Sequence, residues 1–553
     1  MKVALVLIVL IIPLYFFRSV FIEPYDIKYV QDHYYHSQWE IPNSPWGIGD
    51  DGLYQFSGYE LIRGRDPLTI SPEVPPIGKL LYGLSILLFN NPYFVIIPIY
   101  LITIISFYYL TKSYLAVFFL VTTPLFFTQL NSTTLDLMQT CWLLLHTLAI
   151  FNKKTLFAGL TFGLFIGTKF GAFSVFLILA DIYILYKEHR LKSLVWIFLI
   201  GLGVYFASYF GHFLHGGTII TWLKGQKWIL NFYFAGQAKG TPFFVFITLF
   251  TGIWTNLQSA REWTILWPAA MAAFIFTKKN TLFLNYAAIF LAGVLITLCF
   301  SYYWVRYFLI LLPFLIIFLV KIKSKLIYLV AIISFFSMIF YPYASLDKTK
   351  EEIKYAWEQG LYQDLYNYLP KQYSRTEFTQ KAKTVDHGLE YPTKSVTFTK
   401  NTVTIVYQTK SGTITNTQPI NFISENGRFK LIWDWKFVEP VSLPITVHEP
   451  GLDGNNYWEN LPYIYVNPEK ITDQNREFIL QNLADVTKLS KEKIRILLFV
   501  KAQKNQQIPI GFYLIGKLNC GEACKTITKP AWLYNDFKCN GLPYVLSERV
   551  TII

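Results

Sequence analysis

Long apolar runs constrain this chain more than any other feature. YFVIIPIYLITIISFYYL (93–110) and LIYLVAIISFFSMIF (326–340) contain no charged residue. Such runs recur up to about Tyr343, and each approaches the roughly 20 residues needed to cross about 30 Å of hydrocarbon. The whole chain is 53% hydrophobic and 15% charged, with mean hydropathy +0.35, which is greasier than ordinary soluble domains. The sequence therefore predicts a polytopic α-helical membrane region over 1–343 and an extracytoplasmic α+β region over 344–553.

The opening MKVALVLIVLIIPLYFFRSVF lacks a small-residue cleavage site and reads as an uncleaved first span with a cytoplasmic N-terminus. Further spans are expected near 93–111, 114–130, 136–151, 155–169, 172–187, 193–210, 262–277, 281–300, 303–320 and 325–343, about eleven in all. Alternating from the inside puts TKS (111–113), NKK (152–154), KEHRLK (187–192), TKKN (277–280) and KIKSK (321–325) in the cytoplasm. That agrees with the enrichment of basic residues on that side. It leaves the loop 22–92, the turn 131–136, the loop 211–261 and everything after Tyr343 outside. The run PFFVFITLFTGIWT (242–255) would break the alternation if it crossed, so an interfacial helix is expected there.

The formal charge of +14 is spread in short clusters between apolar runs rather than on one face, so no nucleic-acid partner is expected. Cys520, Cys524 and Cys539 cluster near the C-terminus, where an oxidising space would permit one disulfide of unspecified pairing. DHYYH (32–36) offers Asp32, His33 and His36 without a further ligand segment, and NST (131–133) matches a glycosylation acceptor.

The loop 22–92 is too long for a simple turn, and its IGKLLYGLSILLF (77–89) is short for a span, so this helix is expected to lie along the membrane surface. In DDGLYQFSGYELI (50–62), Asp50 and Tyr54 are one helical turn apart and point the same way. Taken alone, Asp50 would do for a helix cap. The order Asp50, Asp51, Tyr54, then Gly64-Arg65-Asp66-Pro67, then Pro75-Pro76 with Lys79, after one N-terminal span, resembles the first outer loop of the GT-C membrane glycosyltransferases. The nearest of these are the protein O-mannosyltransferases and aminoarabinose transferases. Asp51 stands where that group has Glu, and Val74 where it commonly has His.

Three more stretches are similar to the same group: TTPLFFTQLNSTTLDLMQT with Asp136, GLFIGTKFGAF with Lys169, and YYWVRYFLILLPFL with Arg306. The resemblance implies a sugar donor on a polyprenyl phosphate, transfer with inversion to a glycan, lipid or protein acceptor, and no metal or other cofactor. A carboxylate must then take the acceptor proton, a role that falls to Asp50 with Asp51 as neighbour or substitute. Cations must take the charge growing on the phosphate, a role for Arg306, Lys169 and Lys79. Asp136 and Tyr54 would orient the substrate. Without the resemblance, Lys169 and Arg306 read as side chains snorkelling to headgroups and Asp136 as a cap.

After Pro342 the pattern changes. KTKEEIKYAWEQGLYQDLYNYL has helical spacing, while KSVTFTKNTVTIVYQTKSG alternates like a strand. The region 344–440 resembles the cone-like, nuclear-transport-factor-two-type domain of some penicillin-binding proteins, and 441–553 their pedestal. Ser490 and Lys493 form a Ser-x-x-Lys match, but no Lys-Thr-Gly accompanies it, so no transpeptidase is implied. Two other classes compete with the transferase. A transporter or lipid flippase would need polar residues inside several spans, and an envelope scaffold would need only the tail.

Overall fold

A computed structural model describes residues 2–438 apart from 24, 36, 38, 41–47, 236–240, 255–259, 302, 323, 344, 371–373, 383–392, 410–411 and 426–427. Beyond 438 it describes four short strands, Ile464–Val466 paired with Ile508–Ile510, and Lys538–Cys539 paired with Leu542–Pro543. The chain divides into two compact units, Met1–Tyr343 and Ala344–Ile553.

The first unit is helical, and its helices begin and end where local chemistry directs. Ile96–Thr111 ends on Lys112 in the left-handed region, and the next helix starts at Ser113, whose hydroxyl accepts from Ala116 N at 3.2 Å. Thr281 caps Leu282–Phe300 in the same way. Asp136–Phe151, Thr155–Thr168, Ala172–Lys187 and Leu191–Ala207 follow the apolar runs closely. The run 114–130 does not make one rod: Pro124 has no N–H to donate, Thr123 is extended, and Tyr114–Thr122 turns by 71° into Pro124–Asn131. The run 303–320 likewise opens as a 3₁₀ turn, Val305–Ile310, before Leu312–Leu319.

Among the described residues, Leu282–Phe300 is long and apolar enough to cross a bilayer by itself, and the bent pair passes only as two pieces together. Seven further apolar helices are 10–17 residues long. A helix of about 16 residues rises about 24 Å, short of the roughly 30 Å of hydrocarbon. Among the described residues, helix length alone therefore leaves the expected count of about eleven unconfirmed. The outward surfaces remain apolar: Leu156, Val195, Trp196, Phe276, Leu326 and Phe340 are all more than half exposed. Phe244–Thr251 forms within 242–255 and stops at Gly252. Ile27–Tyr35, Phe210–Leu214 and Ile219–Ala235 are helices in segments that the sequence reading left as loop.

The acid-bearing helix Asp50–Ile62 is packed along Pro76–Phe89 without side chains between them at one point. A Cβ on Gly58 would stand 2.1 Å from the Lys79 carbonyl oxygen, and one on Gly83 would stand 2.0 Å from that of Gly58. The start of Pro76–Phe89 is wedged between two other elements, since Gly78 faces Leu135 and Thr168, and Tyr82 Oη donates to Thr134 O at 2.7 Å. Asn91 ties the far end back to the first helices through Val20 O (2.7 Å) and Glu23 O (3.0 Å). The other end of the bundle gathers Ile150, Arg190 and Phe283.

The second unit packs Leu346–Glu358 on a three-stranded antiparallel sheet, Thr393–Phe398, Thr402–Thr409 and Gly412–Pro419, in that spatial order. The run that alternates from 394 onward is thus two strands rather than one. Thr399 N donates to Thr402 O at 2.8 Å across their turn. Its core centres on Trp357 and Trp433, with ring centroids 4.8 Å apart, and on Phe378 and Phe437. Ser490, Lys493, Cys520 and Cys524 lie outside the described residues.

Candidate functional site

Two carboxylates begin helices at the same end of the first unit. Asp50 is the first residue of Asp50–Ile62 and Asp136 the first of Asp136–Phe151, where the exposed N–H groups and the helix dipole favour negative charge. Arg306, in the turn Val305–Ile310, lies between them. Its Nη2 donates to Asp50 Oδ2, and its Nε stands 3.4 Å from Asp136 Oδ2. Lys169 follows the end of Thr155–Thr168 in extended backbone and donates from Nζ to Asp136 Oδ1 at 2.7 Å. The same Nζ sits 4.0 Å from the centre of the Tyr307 ring, and the Arg306 guanidinium 5.7 Å from those of Trp304 and Tyr307. Four segments scattered over 256 residues therefore build one group of two acids and two cations. Tyr54, one turn along from Asp50, is within electrostatic reach of Arg306.

Asp51 is turned the other way. Its Oδ1 accepts from Thr133 N (2.8 Å), Ser132 Oγ (3.1 Å) and Thr133 Oγ1 (3.3 Å), while Gln55 Nε2 donates to Thr133 Oγ1 at 2.8 Å. Burial pushes the Asp51 carboxyl above the ordinary aspartate range, and these donors pull against it. Asp51 thus fastens the helix of Asp50 to the turn that leads into Asp136. One of its carboxylate oxygens is thereby occupied by one backbone N–H and two hydroxyls.

Lys79 makes its hydrogen bonds apart from the acid–cation group among the described residues. It is fully buried, with Nζ donating to Ser71 O (2.6 Å) and Val74 O (2.9 Å). Burial lowers its ammonium to about 8, against the partial support of Glu73. Glu73 is itself buried and raised by that burial, with Ser71 Oγ donating to Oε1 at 2.6 Å.

Neither a family model nor a curated protein matches the chain. A solved structure does. It is ArnT from Cupriavidus metallidurans bound to undecaprenyl phosphate, similar over 69% of this chain and 68% of that one, at 13% identity and a TM-score of 0.40.

Several polar groups escaped the sequence reading. Asp66 of the Gly-Arg-Asp-Pro turn accepts at Oδ1 from Leu68 N (2.8 Å) and lies 2.8 Å from His212 Nδ1 through Oδ2, while His212 Nε2 lies 2.9 Å from Thr221 Oγ1. The turn is therefore clasped by 211–225, with Gly211 against Pro67 and Gly225 against Leu68. Within the apolar helices, His146 Nε2 pairs with Asp181 Oδ2 at 2.9 Å, and Tyr286 Oη donates to Asp181 Oδ1 at 3.2 Å, all three fully buried. One acid in the run 172–187 was the available signal; its partners, 35 and 105 residues away, were not readable.

Proposed function

We propose that this chain is a polytopic membrane glycosyltransferase of GT-C type that moves a sugar from a polyprenyl-phosphate donor to an acceptor hydroxyl at the outer face, with inversion. The single observation that carries the reading is Arg306 bracketed by Asp50 and Asp136, with Lys169 on the same Asp136. The lipid-like apolar exterior of the surrounding helices supports a polyprenyl carrier.

The chemistry needs one group to accept a proton and others to hold a leaving anion. The acceptor oxygen attacks the anomeric carbon from the face opposite the phosphate, the new C–O bond forms, and the bond to the phosphate oxygen breaks. Asp50 takes the hydroxyl proton. Arg306 presents a planar fork to the phosphate oxygens and Lys169 adds a point charge, so both meet charge as it develops. Asp136 keeps the two cations at a fixed spacing, and Tyr54 lines the approach beside Asp50. The scheme calls for no metal or organic cofactor, and membrane lipid, carrier-linked sugar and acceptor are its partners.

The test is direct transfer by the purified protein, in detergent or nanodiscs, from labelled polyprenyl-phosphate sugars to envelope lipid, glycan and protein acceptors. Label should move, and Asp50→Asn should abolish the transfer while the protein stays folded. Transfer that persists in the Asp50→Asn, Asp51→Asn double variant would remove the base from this scheme.

A further inference from the structure

The helix Ile219–Ala235 carries a surface that the transfer scheme does not use. Its inward side follows i, i+3, i+4, i+7 spacing. The Trp222 ring lies 5.2 Å from that of Phe206, Gly225 faces Leu68, Gln226 Oε1 accepts from Tyr205 Oη at 2.6 Å, and Ile229 is buried. The outward sides are open. Ile219, Leu223 and Leu230 are exposed and fall within about 40° of one another around the helix, at 3.6 residues per turn. Lys227, Ile220 and Lys224 come next round it, exposed as well.

This apolar flank continues a surface that begins one helix earlier. On Leu191–Ala207, Val195, Leu199, Leu202 and Phe206 are exposed at i, i+4, i+7 and i+11, a single stripe along the helix. Phe210 and Leu214 of the short helix Phe210–Leu214 are exposed after it, and the turn at Gly216 (φ +80°) then leads into Ile219. Phe206 is the joint: it belongs to the stripe, and its ring meets both Phe213 (4.9 Å) and Trp222.

Charge selects what covers the flank. Residues 189–261 contain no Asp or Glu. Asp66, which the first loop brings to this segment, is engaged by His212 Nδ1 and Leu68 N. A line of isoleucine and leucine edged by lysines suits the boundary between acyl chains and anionic headgroups, where the apolar side chains enter the hydrocarbon and the ammonium groups reach phosphate. A water-soluble partner would cover the flank and leave bare the stripe that it continues.

We infer that Ile219–Ala235 is an arm laid on the bilayer surface, with Ile219, Leu223 and Leu230 in the headgroup–acyl boundary and with Lys224 and Lys227 on the phosphates of anionic phospholipids. This rests on the membrane reading above and is independent of the sugar chemistry.

The experiment places the full-length protein in nanodiscs of equal parts phosphatidylcholine and phosphatidylglycerol. The photo-crosslinking residue benzoylphenylalanine replaces Leu223 or, as a control on the stripe of Leu191–Ala207, Leu199, and adducts are identified by mass spectrometry. Both positions should take lipid. At Leu223 the ratio of phosphatidylglycerol to phosphatidylcholine adducts should exceed that at Leu199 by at least about fivefold, the preference expected of one lysine near the surface. The double variant Lys224→Gln, Lys227→Gln, which alters exposed positions alone, should return the ratio to the Leu199 value. Lipid at Leu199 with no adduct at Leu223 overturns the arm, and so do adducts at Leu223 with protein alone, a second copy of this chain included. A ratio at Leu223 equal to that at Leu199, or one unchanged in the double variant, overturns the headgroup contact. No lipid adduct at either position defeats the membrane reading, and this arm with it.

Discussion

Arg306 and Asp50 are 256 residues apart in sequence and joined by an ion pair. The pair means that the proposed base and the proposed phosphate ligand neutralise one another in the unliganded protein. In the proposed reaction a donor phosphate would compete with Asp50 for the guanidinium, and its arrival would release the carboxylate. Asp50→Asn should therefore be inactive in transfer yet bind undecaprenyl phosphate more tightly. A partly exposed pair is worth up to about 1 kcal/mol, so the gain should be about fivefold. Titration of both proteins with undecaprenyl phosphate checks this, and weaker binding by the variant would contradict the competition.

The three bonds to Asp51 make a different prediction. Asp51→Ala strands Thr133 N and loosens the turn before Asp136, which should cost about 1–3 kcal/mol. Thermal unfolding should show the loss, and the transfer rate should fall while donor affinity changes little. Wild-type stability in this variant would contradict the fastening role.

Lys79 predicts a pH effect. Its ammonium is lowered from 10.5 to about 8, so between those values the unfolded chain binds the proton that the folded chain has released. Stability then rises with pH across that window. Relative to Lys79→Met, which has nothing to titrate there, the wild type should gain on the order of 3 kcal/mol from pH 8 to pH 10.5. Parallel melting profiles of the two proteins over this range would show that the lysine is not so perturbed.

The buried pair of His146 and Asp181 predicts strong non-additivity. Removing one partner leaves the other charge or dipole uncompensated among apolar helices, so Asp181→Leu should cost about 3–5 kcal/mol. The double variant with His146→Leu should recover most of that loss, as read from melting temperatures of the four proteins of the cycle. Additive losses would mean that the two side chains act independently.

Gly58 and Gly83 predict a steric effect. Alanine at either position drives a methyl group into backbone oxygen, at the upper end of or above the usual cost of about 1–3 kcal/mol for overpacking. Gly203→Ala, where nothing lies within 4 Å, should be harmless, and a melt of the three variants separates these outcomes.

How far the sequence could be read depended on the range of the interaction. The spacing of Asp50 and Tyr54 and the start at Asp136 are local, and the helices Asp50–Ile62 and Asp136–Phe151 carry them as expected. The break at Thr123–Pro124 is also local, but the reading of 114–130 as one span followed the apolar run and did not use the proline. Asp51 was taken as a second acid because it adjoins Asp50; its partners lie 81 and 82 residues away and leave no trace in the spacing. Lys79 was grouped with the other cations by charge, whereas the fold of 71–74 supplies its carbonyl partners.

The bare apposition of Gly58 against Gly83 limits what can move. Two main chains in touch leave no slack for one helix to glide over the other, so the arm bearing Asp50 and the rod bearing Lys79 travel as a single piece. For Asp50 to part from Arg306 without that pair of helices shifting, the carboxylate has to turn about its own side-chain bonds.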